Sequence, residues 1–176
     1  MNTPDLRLAD HPAHAAANAA DFTFEPLGAQ ARGEILAHLR QLSGADLALR
    51  FSATMTEAAL ARYTDSLDFN RDSFVAARAS NGELTGIAQV MPIGSDRGAA
   101  AEVAFSLAPA ARGKGWGSRL MREAITVART RGITRLIAQV CPQNTPMLAI
   151  LRGAGMSITR EDCEMVGTMT ITAAQI

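Results

Sequence analysis

Long apolar runs are missing from this chain: no stretch approaches the roughly 18 to 20 residues that a membrane-spanning helix requires, so a helical membrane span is not expected. Net charge is missing as well, because 17 Lys and Arg residues offset 17 Asp and Glu residues. Without a global positive field, nucleic acid and anionic membranes are not expected partners, and any anion site must come from a local cluster. Cysteine is scarce. Cys141 and Cys163 show neither metal-ligand spacing nor a disulfide framework, so no metal is expected and both read as packing residues in a reducing compartment. A secretory leader is not apparent either: Asp5, Arg7 and Asp10 stand where its apolar core would lie, and residues 15–20 are too short to replace it. A cytoplasmic location is the expectation. Residues 1–20, with His11, Pro12, His14 and an alanine run, read as a weakly ordered tail, a metal role for the histidine pair being the lesser alternative. Repeats and long linkers are absent, so residues 21–176 read as one domain, 48% hydrophobic and 19% charged over the whole chain.

What is present is an alternation of strands and helices. Phe22, Phe24 and Leu27 alternate with polar residues as a first strand, and Ile35, Leu36 and Leu39 mark the buried face of a helix over 31–42. Thr56 is a good N-cap for a second helix to about Ser66. Residues 74–78 and 85–91 flank Asn81 and Gly82, the signature of a β-hairpin, and a third antiparallel strand follows at 102–107 after a loop around 94–98. A strong amphipathic helix is predicted over 118–131, with Leu120, Met121, Ala124, Ile125 and Ala128 on its apolar side and Gly132 ending it. The nearly continuous apolar run 133–140 predicts a strand buried on both faces and reached through that crossover helix, which implies one parallel pairing. Asn144 opens a short helix to about Arg152, Gly155 stops it, and 165–172 supply a last strand. The sum is a mixed α/β sheet.

The segment Arg112, Gly113, Lys114, Gly115, Trp116, Gly117, Ser118 lies between a strand and a helix N-terminus. Glycines there let backbone N–H groups approach a ligand, and the helix end adds partial positive charge, which suits a diphosphate. Arg112, Lys114 and Arg119 supply the local cations. A Walker loop is ruled out because Gly115, not Ser or Thr, follows Lys114. A dinucleotide fingerprint would need glycine in place of Ser118 and an acidic residue where Val140 and Cys141 stand. A plain surface turn with solvated charges remains the competing reading.

These residues resemble a known pattern. Arg112, Gly113, Gly115 and Gly117 match the Arg or Gln, two residues, Gly, one residue, Gly or Ala motif of the GNAT superfamily, and Asn144 with Gly155 matches its following helix motif. The resemblance covers roughly 22–156 and agrees with the strand and helix order above. It is similar, more specifically, to the GNAT domain of bacterial protein lysine acetyltransferases, through Leu49, Arg50, Phe51 and Ser52, Asp68 with Phe74, Val75 and Ala76, the stretch 101–105, and Asn144 with Met147. The implied fold is α/β (α+β): a mostly antiparallel six- to seven-stranded sheet flanked by helices, with one central parallel pair splayed for CoA.

The resemblance also implies a chemistry, acetyl transfer from acetyl-CoA to a primary amine in a ternary complex. The favoured acceptor is a protein lysine, such as one on an acyl-CoA synthetase. Small-molecule amines, a non-catalytic acyl-CoA sensor and a homodimer stay open. A lysine amine has a pKa near 10.4, so deprotonating it at pH 7 costs about 4 to 5 kcal/mol, and a general base is useful. The resemblance places that base at Glu102; alternation puts Glu102 and Ala104 on one strand face and Val103 and Phe105 on the other. Backbone groups of Phe105, Ser106 and Leu107, where the family strand bulges, would hold the pantetheine arm. Arg112, Gly113, Lys114, Gly115, Trp116, Gly117 and Ser118 would take the diphosphate, and Asn144 would add a contact beyond capping its helix. Trp116 reads either as a cover for the cofactor or as a helix anchor. Many relatives carry a tyrosine acid seven residues after the asparagine; here that position is Leu151. The acceptor channel is implied to form from 42–72, where Arg50, Arg62, Asp65 and Asp68 lie.

Overall fold

The computed structural model describes residues 22–94 and 99–172. The expected tail over 1–20 and most of the loop 94–98 lie outside these residues. The elements run β1 (Phe22–Leu27), α1 (Arg32–Arg40), α2 (Gly44–Phe51), α3 (Glu57–Asp65), β2 (Ser73–Ala79), β3 (Leu84–Ile93), β4 (Ala100–Leu107), α4 (Trp116–Thr130), β5 (Arg135–Val140), α5 (Thr145–Gly153), β6 (Ser157–Glu161) and β7 (Glu164–Thr170). They form one sheet in the order β1-β2-β3-β4-β5-β7-β6, antiparallel except for the pair β4 and β5. No helix among the described residues is long and apolar enough to cross a membrane.

The sheet separates two cores. On one face α4 buries Leu120, Met121, Ala124 and Ala128 against Val75, Ala88, Val90 and Val103, the apolar stripe read from its sequence. On the other face α1 packs Ile35 and Leu39 against Phe74, Ala76 and Ile87. Alternation along β4 follows: Val103 belongs to the α4 core and Phe105 packs against it, whereas Glu102 is half-buried and Ala104 meets Ile35 and Leu39.

Two elements were not anticipated. Helix α2 starts at a capping box, in which Ser43 accepts from the Asp46 amide and Asp46 accepts from the Ser43 amide. Strand β6 is an edge strand, exposed at four of its five positions, so it carries no alternation to read. Helix α4 also begins at Trp116 rather than Ser118, which moves Trp116 and Gly117 out of the turn and into the helix.

The expectation that β5 is buried on both faces is not met. Leu136, Ala138 and Val140 are buried on the α4 and α5 side, but Arg135 and Gln139 are exposed on the other. The expected departure of β4 from its parallel neighbour takes a different form from a bulge, since its register with β3 is unbroken from Ala100 to Leu107. Instead, the parallel ladder with β5 covers only Ala100–Glu102 against Arg135–Ile137 and then ends. The two strands diverge, and the outer half of β5 faces the gap instead of a packed helix.

His38 is the one polar residue on the buried stripe of α1, at 1% exposure. Its Nδ1 lies 3.3 Å from the Leu84 carbonyl, so Nδ1 carries the proton and Nε2 accepts from the Ser106 hydroxyl at 2.9 Å. Burial lowers its pKa to about 4, the nearby Leu84 carbonyl and Glu83 opposing weakly. The unfolded chain therefore takes up a proton near pH 6.5 that the folded chain refuses until about pH 4. Stability should be complete above pH 6.5 and fall by on the order of 3 kcal/mol as pH drops toward 4. Urea melts of wild type and His38→Gln across that window should show a steep acid slope that the variant flattens; equal slopes would contradict the buried neutral imidazole.

Candidate active site

Where the β4–β5 ladder ends, a cavity of about 220 Å³ opens between the diverging strands. Phe105, Ser106 and Leu107 line it from β4, Gln139 and Val140 from β5, and Asn144, Met147 and Ile150 from α5. From Val103 onward the β5-facing edge of β4 has no strand opposite, so its backbone groups are left for another partner. A partner that extends β4 by hydrogen bonds would satisfy them, much as an added strand does.

The turn before α4 forms the far end. Gly113 (φ +73°) and Gly115 (φ +77°) are in the left-handed region, and a Cβ at either would meet nothing within 4 Å. Backbone conformation, not crowding, selects glycine there. Gly115 is the N-cap of α4 and supplies no side-chain acceptor, and no acidic residue sits in the first turn. That uncapped end of a 15-residue helix suits an anion. Gly117 differs: a Cβ on it would come within 2.5 Å of Ile150 Cδ1 and 3.2 Å of Leu107 Cδ1, so glycine lets α4 approach the cavity floor.

The cations are deployed differently from the expectation. Arg112 turns back, donating from Nε and Nη2 to the Leu107 carbonyl at 3.1 and 2.9 Å and pairing with Asp46 at 2.9 Å. Its bond to Asp46 holds that carboxyl below the usual carboxylate range. Arg119 lies over the Trp116 and Phe24 rings at 4.9 and 5.1 Å. Lys114 and Ser118 are exposed on the turn and first turn of α4. Of the two readings of Trp116, the structure fits the helix anchor: at 2% exposure the ring stacks on Phe22 with centroids 3.8 Å apart and ties α4 to β1, which leaves its backbone amide, not its side chain, for a ligand. Its indole Nε1 is buried without a partner among the described residues.

Asn144 caps α5, its Oδ1 accepting from the Met147 amide at 3.2 Å, and also lines the cavity. Leu151, in the position where relatives carry a tyrosine, is fully buried, with Cδ1 2.9 Å from where a Cβ on Gly167 would lie. Glu102 stands at the last rung of the ladder, one alternate residue before Ala104 of the cavity wall. Burial raises its pKa above the usual carboxylate range, Arg50 opposes this, and Glu164 adds to it. Among the described residues no group of three His, Cys, Asp or Glu side chains is placed to hold a metal.

Helix α2 walls the cavity through Asp46, Leu49 and Arg50. Asp46 fixes its start to Arg112, and Ser52, just past its end, donates to Glu164 at 3.3 Å. Sequence reasoning missed this helix and with it a polar network behind Glu102: Tyr63 donates to Gln89 Oε1 at 2.6 Å, Arg50 Nη2 lies 3.3 Å from both, and Gln89 Nε2 donates to buried Asp72 at 2.9 Å. The available signal was Gln89, a lone polar residue inside the apolar run of β3.

The Acetyltransferase (GNAT) family pattern matches residues 36–156, more than half of the chain. The chain belongs to this family. Among solved structures, the GNAT domain of Streptomyces lividans PAT is 27% identical, with 84% of this chain and 89% of that one covered and a TM-score of 0.72. A phosphinothricin acetyltransferase from Sinorhizobium meliloti in complex with AcCoA is 20% identical over 86% and 89%, TM-score 0.65. Spermidine N-acetyltransferase from Vibrio cholerae, in complex with CoA and spermine, is 14% identical over 88% and 98%, TM-score 0.67. The last two share the fold.

Two variants separate the glycine turn of this GNAT chain from its tryptophan. Gly115→Ala should cost about 1 kcal/mol in stability and weaken CoA, because the left-handed N-cap is strained by a Cβ. Trp116→Phe keeps the stack on Phe22 and should leave CoA affinity within about twofold. Calorimetric titration with CoA checks both; a large affinity loss in the tryptophan variant alone would reverse their roles.

Proposed function

We propose that the protein transfers an acetyl group from acetyl-CoA to a primary amine, with a protein lysine as the favoured acceptor. The observation that carries this reading is the half-buried Glu102 at the point where β4 and β5 part. The free edge of β4 over Phe105, Ser106 and Leu107 would hold the pantetheine arm. The turn at Gly113, Lys114 and Gly115 with the amides of Trp116, Gly117 and Ser118 would hold the diphosphate. Asn144 would add its side-chain amide nitrogen, since its oxygen is used in capping. Arg112 would act through the Leu107 carbonyl it braces. The sequence resemblance to the GNAT domain of bacterial protein lysine acetyltransferases supports the lysine acceptor.

Glu102 takes one proton from the acceptor ammonium, directly or through a water; the freed amine forms a bond to the thioester carbon, the carbon–sulfur bond breaks to release CoA thiolate, and the second proton on nitrogen passes to that thiolate or to solvent. A base with a raised pKa is better matched to the amine it deprotonates. The position occupied by Leu151 supplies no acid, and a thiolate leaves without needing one: its conjugate thiol has a pKa of about 8.5, far below that of an alcohol.

Because only the carboxylate of Glu102 is active, activity should fall as pH drops through its raised pKa. Acetyl-CoA-dependent thiol release with lysine peptides, an acyl-CoA synthetase and small amines tests the reading. Wild type should show an acid limb above the usual carboxylate range, and Glu102→Gln should lower kcat at least tenfold and remove that limb. CoA binding without release from any acceptor would favour an acyl-CoA sensor instead.

A further inference from the structure

Arg50 lines the cavity on the Glu102 side and is half-buried, yet among the described residues no carboxylate lies within ion-pair distance of it. An arginine in that state is normally held by an acidic partner. Here the fold holds it with neutral atoms. Its Nη2 lies 3.3 Å from the Tyr63 hydroxyl and 3.3 Å from Gln89 Oε1, and its guanidinium sits 4.8 Å from the Phe51 ring centroid. The orientation of Gln89 is dictated from behind: Asp72 accepts only from the amide NH₂, which turns Oε1 toward Arg50 and Tyr63. Asp72 is itself 3% exposed and is bonded by Arg71 at 2.8 Å. The one acid of the network thus stands on the far side of Gln89 and spends its charge on Arg71.

Both of these contacts use Nη2, which leaves the N–H groups of Nε and Nη1 without an acceptor among the described residues. A positive group with spare donors and no ion pair among the described residues, close enough to Glu102 to act on its charge, fits a zwitterionic pattern on the acceptor.

We propose that Arg50 binds a carboxylate carried by the acceptor beside its reacting amine, so that the enzyme selects acceptors with an acidic group next to the amine over neutral ones. This rests on the acetyl-transfer reading above and names the acceptor class within it. The carboxylate comes either from an acidic residue flanking the acceptor lysine or from a free amino acid; the chemistry at Arg50 is the same. Tyr63 and Gln89 are positioning residues.

The test uses thiol release by the full chain at saturating acetyl-CoA, with matched acceptors: lysine peptides flanked by Glu or by Gln, and free amino acids against their amides. In one or both pairs the carboxylate form should have a kcat/KM about tenfold or more higher, mainly through KM, and the pair that discriminates identifies the source. Arg50→Gln should abolish the preference between carboxylate and neutral acceptors whatever it does to the rate with either one, and Arg50→Lys should keep part of it. CoA affinity and melting temperature identify a variant that fails to fold, and the wild-type comparison then decides alone. Equal kcat/KM within both pairs would overturn the proposal. So would an Arg50→Gln variant that shifts the pH profile but keeps the preference, which would make Arg50 a tuner of Glu102. If no acceptor releases thiol, the transfer reading fails, and calorimetric binding of the same pairs to the CoA-saturated protein decides the carboxylate question by the same preference.

Discussion

The parallel ladder between β4 and β5 lasts for three residues on each strand, and the site depends on its ending there. A continued ladder would pair the edge of β4 through Leu107 with the outer half of β5, and no cavity would exist between them. Divergence is sustained by what sits on either side. The β3–β4 register is unbroken, so β4 cannot follow β5, while β7 pairs with β5 along its whole length from Arg135 to Val140 and holds it in the other half of the sheet. The gap is a seam between two well-formed half-sheets, and α4 and α5 close it from below through Gly117 and Ile150. Unpaired strand edges are normally a hazard; here the cost is confined to a concave, helix-covered place.

Electrostatics then divides that seam along its length. At one end the uncapped N-terminus of α4 and two left-handed glycines offer backbone donors to an anion. At the other, Glu102 and Glu164 favour a cation, while Arg50 offsets them. Helix α2 joins the two ends, tied by Asp46 to Arg112 near the glycine turn and by Ser52 to Glu164 near the acids. Arg112 therefore does more than contribute charge: it couples the Leu107 carbonyl at the tip of β4 to the start of α2.

Much of this was legible in the sequence where local physics has a short period. The α4 stripe, the Asn81-Gly82 hairpin and the single parallel pairing all follow from spacing and turn chemistry, whereas Glu102 was singled out by the family resemblance. Helix α2 was missed although Ser43 and Asp46 form its capping box, because eight residues between two glycine- and serine-containing segments carry too few turns for periodicity to stand out. Strand β6 was missed because an edge strand that packs only Ile158 against the core shows no alternation. The sequence left the role of Trp116 open and did not show where Arg112 and Arg119 point, for one reason: a residue next to a motif in sequence can point into a different layer. Trp116 reaches β1, which is more than 80 residues away along the chain, and no local pattern records that. The Tyr63, Gln89 and Asp72 network joins α3, β3 and the segment before β2, and only the sheet brings them together.

The central claim is that the seam between β4 and β5 is where CoA extends the sheet. Amide hydrogen exchange with and without CoA measures this residue by residue. The account predicts that CoA slows exchange at Phe105, Ser106 and Leu107 and at the first-turn amides of α4, Trp116, Gly117 and Ser118, and leaves β1, β2 and β6 unchanged. CoA binding with no added protection along the outer half of β4, or protection centred on another part of the sheet, would contradict it.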